Sequence, residues 1–249
     1  MFINDIHIFW YVGIGILGLL IGRFLGLVNT NLPEHKKIFS MPIIKDYIKN
    51  TNTDYIMMIV ISVLYILLLL AIGIEDKLKL IQFLLLTPML VSAFCIDYKL
   101  QIIPNRLTLT MFETGIVFSF LRGLNNLNVA VEMWLGMILG AGIFIILTFL
   151  GNIVFKKETM GFGDVKLMGA LGLFFGWRNI IAITILSFFI AAIFSLVLII
   201  KNKMKKQDIS EFIPFGPFIV LATFIVMFTQ LEMLIKLTFV VFTLGKYSL

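Results

Sequence analysis

Residues 180–200 read IIAITILSFFIAAIFSLVLII, 21 positions without a charged side chain. An α-helix rises about 1.5 Å per residue, so about 20 apolar residues cross the roughly 30 Å hydrocarbon core of a bilayer. The run is continuously apolar rather than alternating, which argues for a helix and against a barrel strand. A helix also satisfies every backbone N–H and C=O within the segment, as lipid requires.

The same reading extends over most of the chain. Of 249 residues, 60% are hydrophobic and 14% charged, and the mean hydropathy is +1.06. A soluble domain of this size would need a larger polar shell. Candidate spans are 8–28, 55–74, 80–97, 106–122, 130–154, 164–177, 180–200 and 214–240. The expected fold is therefore all-α, a polytopic helical membrane protein with about eight transmembrane helices. The sixth span is short, reaching only about 21 Å. It is either a partial span or continuous with the seventh around Trp177, Arg178 and Asn179.

Basic residues orient the spans. Loops after odd-numbered spans hold Lys36, Lys37, Lys45, Lys49, Lys99, Arg106, Lys156, Lys157, Lys201, Lys203, Lys205 and Lys206. The opposite face holds Lys77, Lys79, Arg122, Arg178 and Lys246. The richer side belongs inside, so the N-terminus is expected outside and the loops after spans one, three, five and seven in the cytoplasm. The first apolar run exceeds the ~7–15 residues of a signal-peptide core and has no preceding basic residue, so it reads as a retained span. The sizeable loop is 29–54, with Pro33 and Pro42.

The formal charge of +6 fits contact with anionic membrane lipids, and nucleic acid is not an expected partner. Cys95 stands alone, and His7 and His35 are far apart with no His-Glu-x-x-His pattern. Neither an internal disulfide nor a cysteine-based zinc site can form, and no metal site is expected.

The chemistry-bearing stretch is Gly161-Phe162-Gly163-Asp164-Val165-Lys166-Leu167, which opens span six. Its partner is Asp97, closing span three in SAFCIDYKLQIIPNRLTL. The topology puts both acids at the cytoplasmic boundary. Ionisable groups at membrane depth are costly and mark candidate functional sites. Two carboxyl groups brought together share a proton, and the pair can activate a water as general base and general acid, the chemistry of aspartyl peptide hydrolysis. Gly161 and Gly163 permit close backbone approach beside the acid. Pro104 suits a first helical turn, so Ile-Pro104-Asn105 ends the loop and starts span four.

These residues resemble the prepilin peptidases, the type IV leader peptidases with a Gly-x-Gly-Asp motif that are intramembrane aspartyl proteases. The match lies in Asp97 with YKLQIIPNRLT, in Gly161-Phe-Gly163-Asp164 with VKLMGALG, and in Ile213-Pro214-Phe215-Gly216-Pro217-Phe218 opening the last span. The resemblance implies an enzyme of a bacterial cytoplasmic (inner) membrane that cuts the basic leader from prepilins or pseudopilins at the cytoplasmic face. It implies Asp97 and Asp164 as the catalytic pair, with no cofactor for proteolysis. Residues 55–249 would form the peptidase core, and 1–54 a first transmembrane helix with a short cytoplasmic loop.

The N-terminal part departs from the pattern. Bifunctional members bind zinc through two cysteine pairs and methylate the new N-terminus with S-adenosylmethionine. Residues 29–54 contain no cysteine, and the usual Gly-Ser-Phe-Leu-Asn-Val reads Gly22-Arg23-Phe24-Leu25-Gly26-Leu27-Val28-Asn29. Zinc is not expected, and S-adenosylmethionine only if methyl transfer is retained.

Three further residues have two readings each. Arg23 snorkels to the inner interface or contacts an acidic group of substrate or enzyme. Glu113, near mid-span in helix four, holds substrate or makes a structural hydrogen bond. Lys166 pairs with a carboxylate of the dyad or is an interfacial cation. A proton-coupled transporter with Asp97, Asp164 and Glu113 as relay is the alternative; against it, no inverted repeat is visible.

Overall fold

The computed structural model describes residues 2–3, 6–31, 54–156, 160–205 and 213–229. Most of the 29–54 loop, with His35, Pro33, Pro42, Lys36, Lys37, Lys45 and Lys49, lies outside the described residues. So do Lys157, Lys206, Lys246 and the stretch 230–240 of the expected last span.

Seven helices make up nearly all of the described chain. They are α1 (Ile8–Asn31), α2 (Tyr55–Ile72), α3 (Lys77–Leu100), α4 (Asn105–Asn125), α5 (Leu127–Phe155), α6 (Phe162–Lys205) and α7 (Gly216–Phe228). Two short strands, β1 (Phe2–Ile3) and β2 (Ile6–His7), pair antiparallel before α1, a detail absent from the all-α expectation. Among the described residues, six helices are long and apolar enough to cross a membrane, and α7 is a shorter apolar helix. This is an all-α, multi-pass membrane protein, whose outer faces expose Ile, Leu, Val and Phe while Leu86, Leu90, Met111, Phe144, Leu171 and Ile219 fill the interior.

The sequence leaves spans six and seven either separate or joined near Trp177. They form α6, broken at Gly176, whose φ of 74° and ψ of 173° only glycine adopts readily. The break reverses the chain. Met168 and Ile180 would stand about 18 Å apart in a straight helix. Yet a Cβ on Gly140 would lie 2.5 Å from the Met168 carbonyl oxygen and 3.1 Å from Ile180 Cγ1. The two legs of α6 therefore lie side by side against α5.

Where the helical ladder is interrupted, a side chain supplies the missing donor. The Gln82 amide donates to the Phe174 carbonyl at 3.1 Å, and the Asn179 amide to that of Phe175 at 2.7 Å, both beside the Gly176 break. Pro88 inside α3 has no N–H for the Leu84 carbonyl. The Tyr65 hydroxyl of α2 donates to that oxygen at 2.7 Å. Tyr65→Phe is expected to cost about 1–2 kcal/mol, because it strands a buried acceptor. Thermal unfolding in detergent checks this, and the cost should shrink in a Pro88→Ala background, where the backbone N–H returns.

Glycines set the closest helix contacts. The α1 glycines pack on α2: a Cβ on Gly18 would sit 2.6 Å from Ser62 Cα, and one on Gly22 2.6 Å from Met58 Cα. Ser62 adds a hydroxyl bond to the Gly15 carbonyl at 2.9 Å. Without a hydrophobic drive between helices in lipid, close packing of this kind holds them. At the end of the bundle away from Asp97, Arg122 Nη2 meets Asp76 Oδ2 at 2.6 Å and ties the α2–α3 turn to α4.

Candidate active site

Asp97 is in the last turn of α3 and only 5% exposed. Its carbonyl accepts the final helical bond from the Gln101 N–H at 2.8 Å, and Gln101 closes the helix in the left-handed conformation, φ 56°. Residues 101–104 then carry the chain into α4. Asp164 is in the first turn of α6, 7% exposed, with its N–H bonded to the Gly161 carbonyl at 3.1 Å. The two carboxyl groups come from helices far apart in sequence and are close enough for their charges to repel.

The start of α7 completes the site. Pro214 precedes the helix, Pro217 occupies its first turn, and Gly216 begins it. A Cβ on Gly216 would overlap Asp97 Oδ2 and lie 3.0 Å from its Cγ. The missing side chain lets the first turn of α7 approach the Asp97 carboxyl group closely. A helix N-terminus presents unpaired N–H groups and the positive end of its dipole, so it favours an anion. Sequence reasoning places Asp97 only at the C-terminal end of its own helix. It singles out Gly216 in the IPFGPF motif but not this contact. Asp97 Oδ2 itself is buried without a hydrogen-bond partner among the described residues.

Lys166 is directed elsewhere than the carboxyl pair: its ammonium donates to Asn105 Oδ1 at 2.7 Å and stands 5.3 Å from the centre of the Phe162 ring. Pro104 serves as cap to α4, with its carbonyl accepting from Leu107 and Thr108. Gly163 faces Ile103, a residue that sequence reasoning does not single out; a Cβ on Gly163 would lie 3.1 Å from Ile103 Cβ. Glu113 is on an exposed face of α4, whereas both aspartates are buried. Arg23 is half-buried in α1, which pairs chiefly with α2, outside the α3, α4, α6 and α7 termini that form the site. Among the described residues no group of three or more His, Cys, Asp or Glu is placed to hold a metal ion.

A helical membrane bundle with two buried carboxyl groups near one another at one end defines a class: membrane proteins with a buried aspartate pair. The family model of the type IV leader peptidase family matches residues 84–196, which include both aspartates. The Leader peptidase HopD of Escherichia coli is 31% identical over 138 residues, 55% of this chain and 84% of that protein. The chain belongs to the type IV leader peptidase family. A prepilin leader peptidase/N-methyltransferase of Aeromonas salmonicida (strain A449) is 35% identical over 142 residues, covering 57% of this chain and 47% of the relative. One of Legionella pneumophila is 34% identical over 139 residues, 56% and 46% of the two chains. The chain thus spans about half the length of such curated relatives. No solved structure matches it.

Proposed function

We propose that this protein is a membrane-embedded aspartyl endopeptidase that cuts the basic leader from type IV prepilins or pseudopilins. The carrying observation is the convergence of Asp97 and Asp164, both buried, at one end of the bundle, where Ile103 lies against Gly163 beside Asp164 and against the Gly216 position that meets the Asp97 carboxyl group. In the proposed reaction one carboxylate takes a proton from water, whose oxygen attacks the scissile carbonyl carbon. The other carboxyl, protonated, donates to the carbonyl oxygen. Collapse of the tetrahedral intermediate breaks the C–N bond, and the departing nitrogen takes a proton from the pair.

The site is proposed to face the cytoplasm of a bacterial inner membrane, with the N-terminus outside. Lys99, Arg106, Lys156, Lys166 and Lys201 belong to the helix ends that share the side of Asp97, and Lys77, Lys79, Arg122 and Arg178 to the other. Membrane lipids are proposed as a partner whose anionic headgroups balance these cations, so that a basic leader can approach the face. Eight crossings are proposed if each leg of α6 and the last span count separately.

Methyl transfer is kept as a second possible outcome of the same assay and is assigned to no residue. The glycine-rich stretch of α1 is engaged in packing: Gly18 and Gly22 abut the α2 backbone and Gly26 faces Asp54. The chain's one cysteine, Cys95, supplies no zinc pair. No step is assigned to S-adenosylmethionine or zinc.

The test is incubation of the purified protein in detergent with a synthetic prepilin segment, a basic leader joined to an apolar helix, with S-adenosylmethionine present. Mass spectrometry should show a single cut at the leader junction. An intact substrate with folded enzyme rejects the peptidase reading, and an added methyl mass would establish the second activity. In the same assay Gly216→Ala should lower the rate by roughly a hundredfold, since its Cβ must push the Asp97 carboxyl from its place and sub-ångström placement governs such steps. A wild-type rate for that variant would mean Asp97 is not held by α7.

A further inference from the structure

Ile103 fills the space between the two halves of the carboxyl site. Its Cβ lies 3.1 Å from where a Gly163 Cβ would be, and its Cδ1 lies 3.3 Å from where a Gly216 Cβ would be. Gly163 immediately precedes Asp164, and the position over Gly216 is the one that overlaps the Asp97 carboxyl group. One isoleucine therefore bridges the glycine walls beside both acids. A peptide lying against Asp97 and Asp164 needs the same volume, because the glycines are where an approaching backbone meets no side chain.

The loop that carries Ile103 is short and held at both ends. Gln101 leaves α3 in the left-handed conformation, a geometry that non-glycine residues adopt at a cost. Asn105, at the start of α4, is bonded by Lys166 from the first turns of α6 at 2.7 Å. That bond joins the loop to the helix that bears Asp164. It lies on an exposed part of the protein, where anionic groups of substrate or lipid can compete for the ammonium group.

We propose that Ile103 is a gate to the carboxyl pair, closed in this structure and latched by the Lys166–Asn105 hydrogen bond. It withdraws when a peptide enters between Gly163 and Gly216. The gate rests on the peptidase reading for its purpose, but its motion can be measured without any substrate. Ile103 touches the site walls rather than the reacting atoms, so it controls entry and is not a catalytic residue.

The experiment places a single thiol at the gate, Ile103→Cys in a Cys95→Ser background, and follows its modification by a water-soluble methanethiosulfonate reagent. With the latch intact, modification should be slow. Lys166→Met and, separately, Asn105→Ala should each speed it by about fivefold, the shift in population that loss of one hydrogen bond allows. Equal rates with and without the latch, in variants that keep the wild-type melting temperature, overturn the proposal. A second measurement uses the cleavage assay: Ile103→Ala should lower KM for the prepilin segment and leave kcat near wild type, since less side chain must be displaced on entry. A fall in kcat at constant KM would instead mark a residue that holds the acids in place. If wild type fails to cut the segment, the peptidase reading fails, while the thiol result still decides the gate.

Discussion

Asp97→Asn and Asp164→Asn are each expected to abolish cleavage of a prepilin segment, by at least about a thousandfold, while leaving the bundle folded. General acid–base catalysis by a positioned side chain contributes typically ~10²–10⁴-fold, and here both proton transfers use one coupled pair. An amide can neither take the proton of the attacking water nor give one to the carbonyl oxygen. The double variant should be no slower than either single one, because residues acting as a unit do not contribute additively. Stability should change little: Asn matches Asp in shape, and both carboxyl groups are buried beside each other, so one fewer potential charge relieves repulsion. The check is single-turnover mass spectrometry beside a thermal melt in the same detergent. A variant that retains more than about a tenth of the wild-type rate would remove that aspartate from the proposed mechanism.

Gly172→Val is expected to prevent assembly of the bundle. A Cβ at residue 172 would overlap the backbone carbonyl of Gly136 and the Met137 nitrogen. The opposing atoms are backbone in the middle of a helix, so neither a rotamer change nor a flexible tip can relieve the clash. From the other side, a Cβ on Gly136 would be 2.5 Å from the Gly172 carbonyl oxygen and 2.6 Å from the Gly176 carbonyl carbon. Separating the helices enough to admit a valine would break the most extensive helix pairing among the described residues, α5 against α6. It would also displace the first leg of α6, which carries Asp164 at its start. The expected cost is above about 4 kcal/mol, beyond ordinary overpacking. Loss of the monodisperse peak on size exclusion would show it, while Gly142→Ala, at a glycine with nothing within 4 Å, should run as wild type. A monodisperse, active Gly172→Val protein would mean that this crossing is not tight.

Much of the architecture is legible in the chain alone. Uninterrupted apolar runs admit only helices in lipid, so the all-α membrane fold follows from composition and run length. The family is legible because its motif residues sit at helix ends, where an acid, a glycine pair and prolines break an apolar background. Ile103 is not legible, since one isoleucine among many carries no signal until its neighbours are known. Tyr65 and Gln82 are equally silent: each answers a carbonyl freed by Pro88 or Gly176 on another helix, and that relation has no sequence spacing.

By itself, then, the sequence determined the medium, the helical class, the family and the two aspartates as candidates. The reason is that these depend on local chemistry: hydropathy over about 20 residues and short motifs. Only the tertiary structure decided that the chain doubles back at Gly176, that the N-terminus of α7 faces Asp97, and that Ile103 stands between the glycines of the carboxyl site. Those features arise where helices distant in sequence meet. Their contacts are set by backbone approach of a few ångströms, which glycine permits but does not by itself specify.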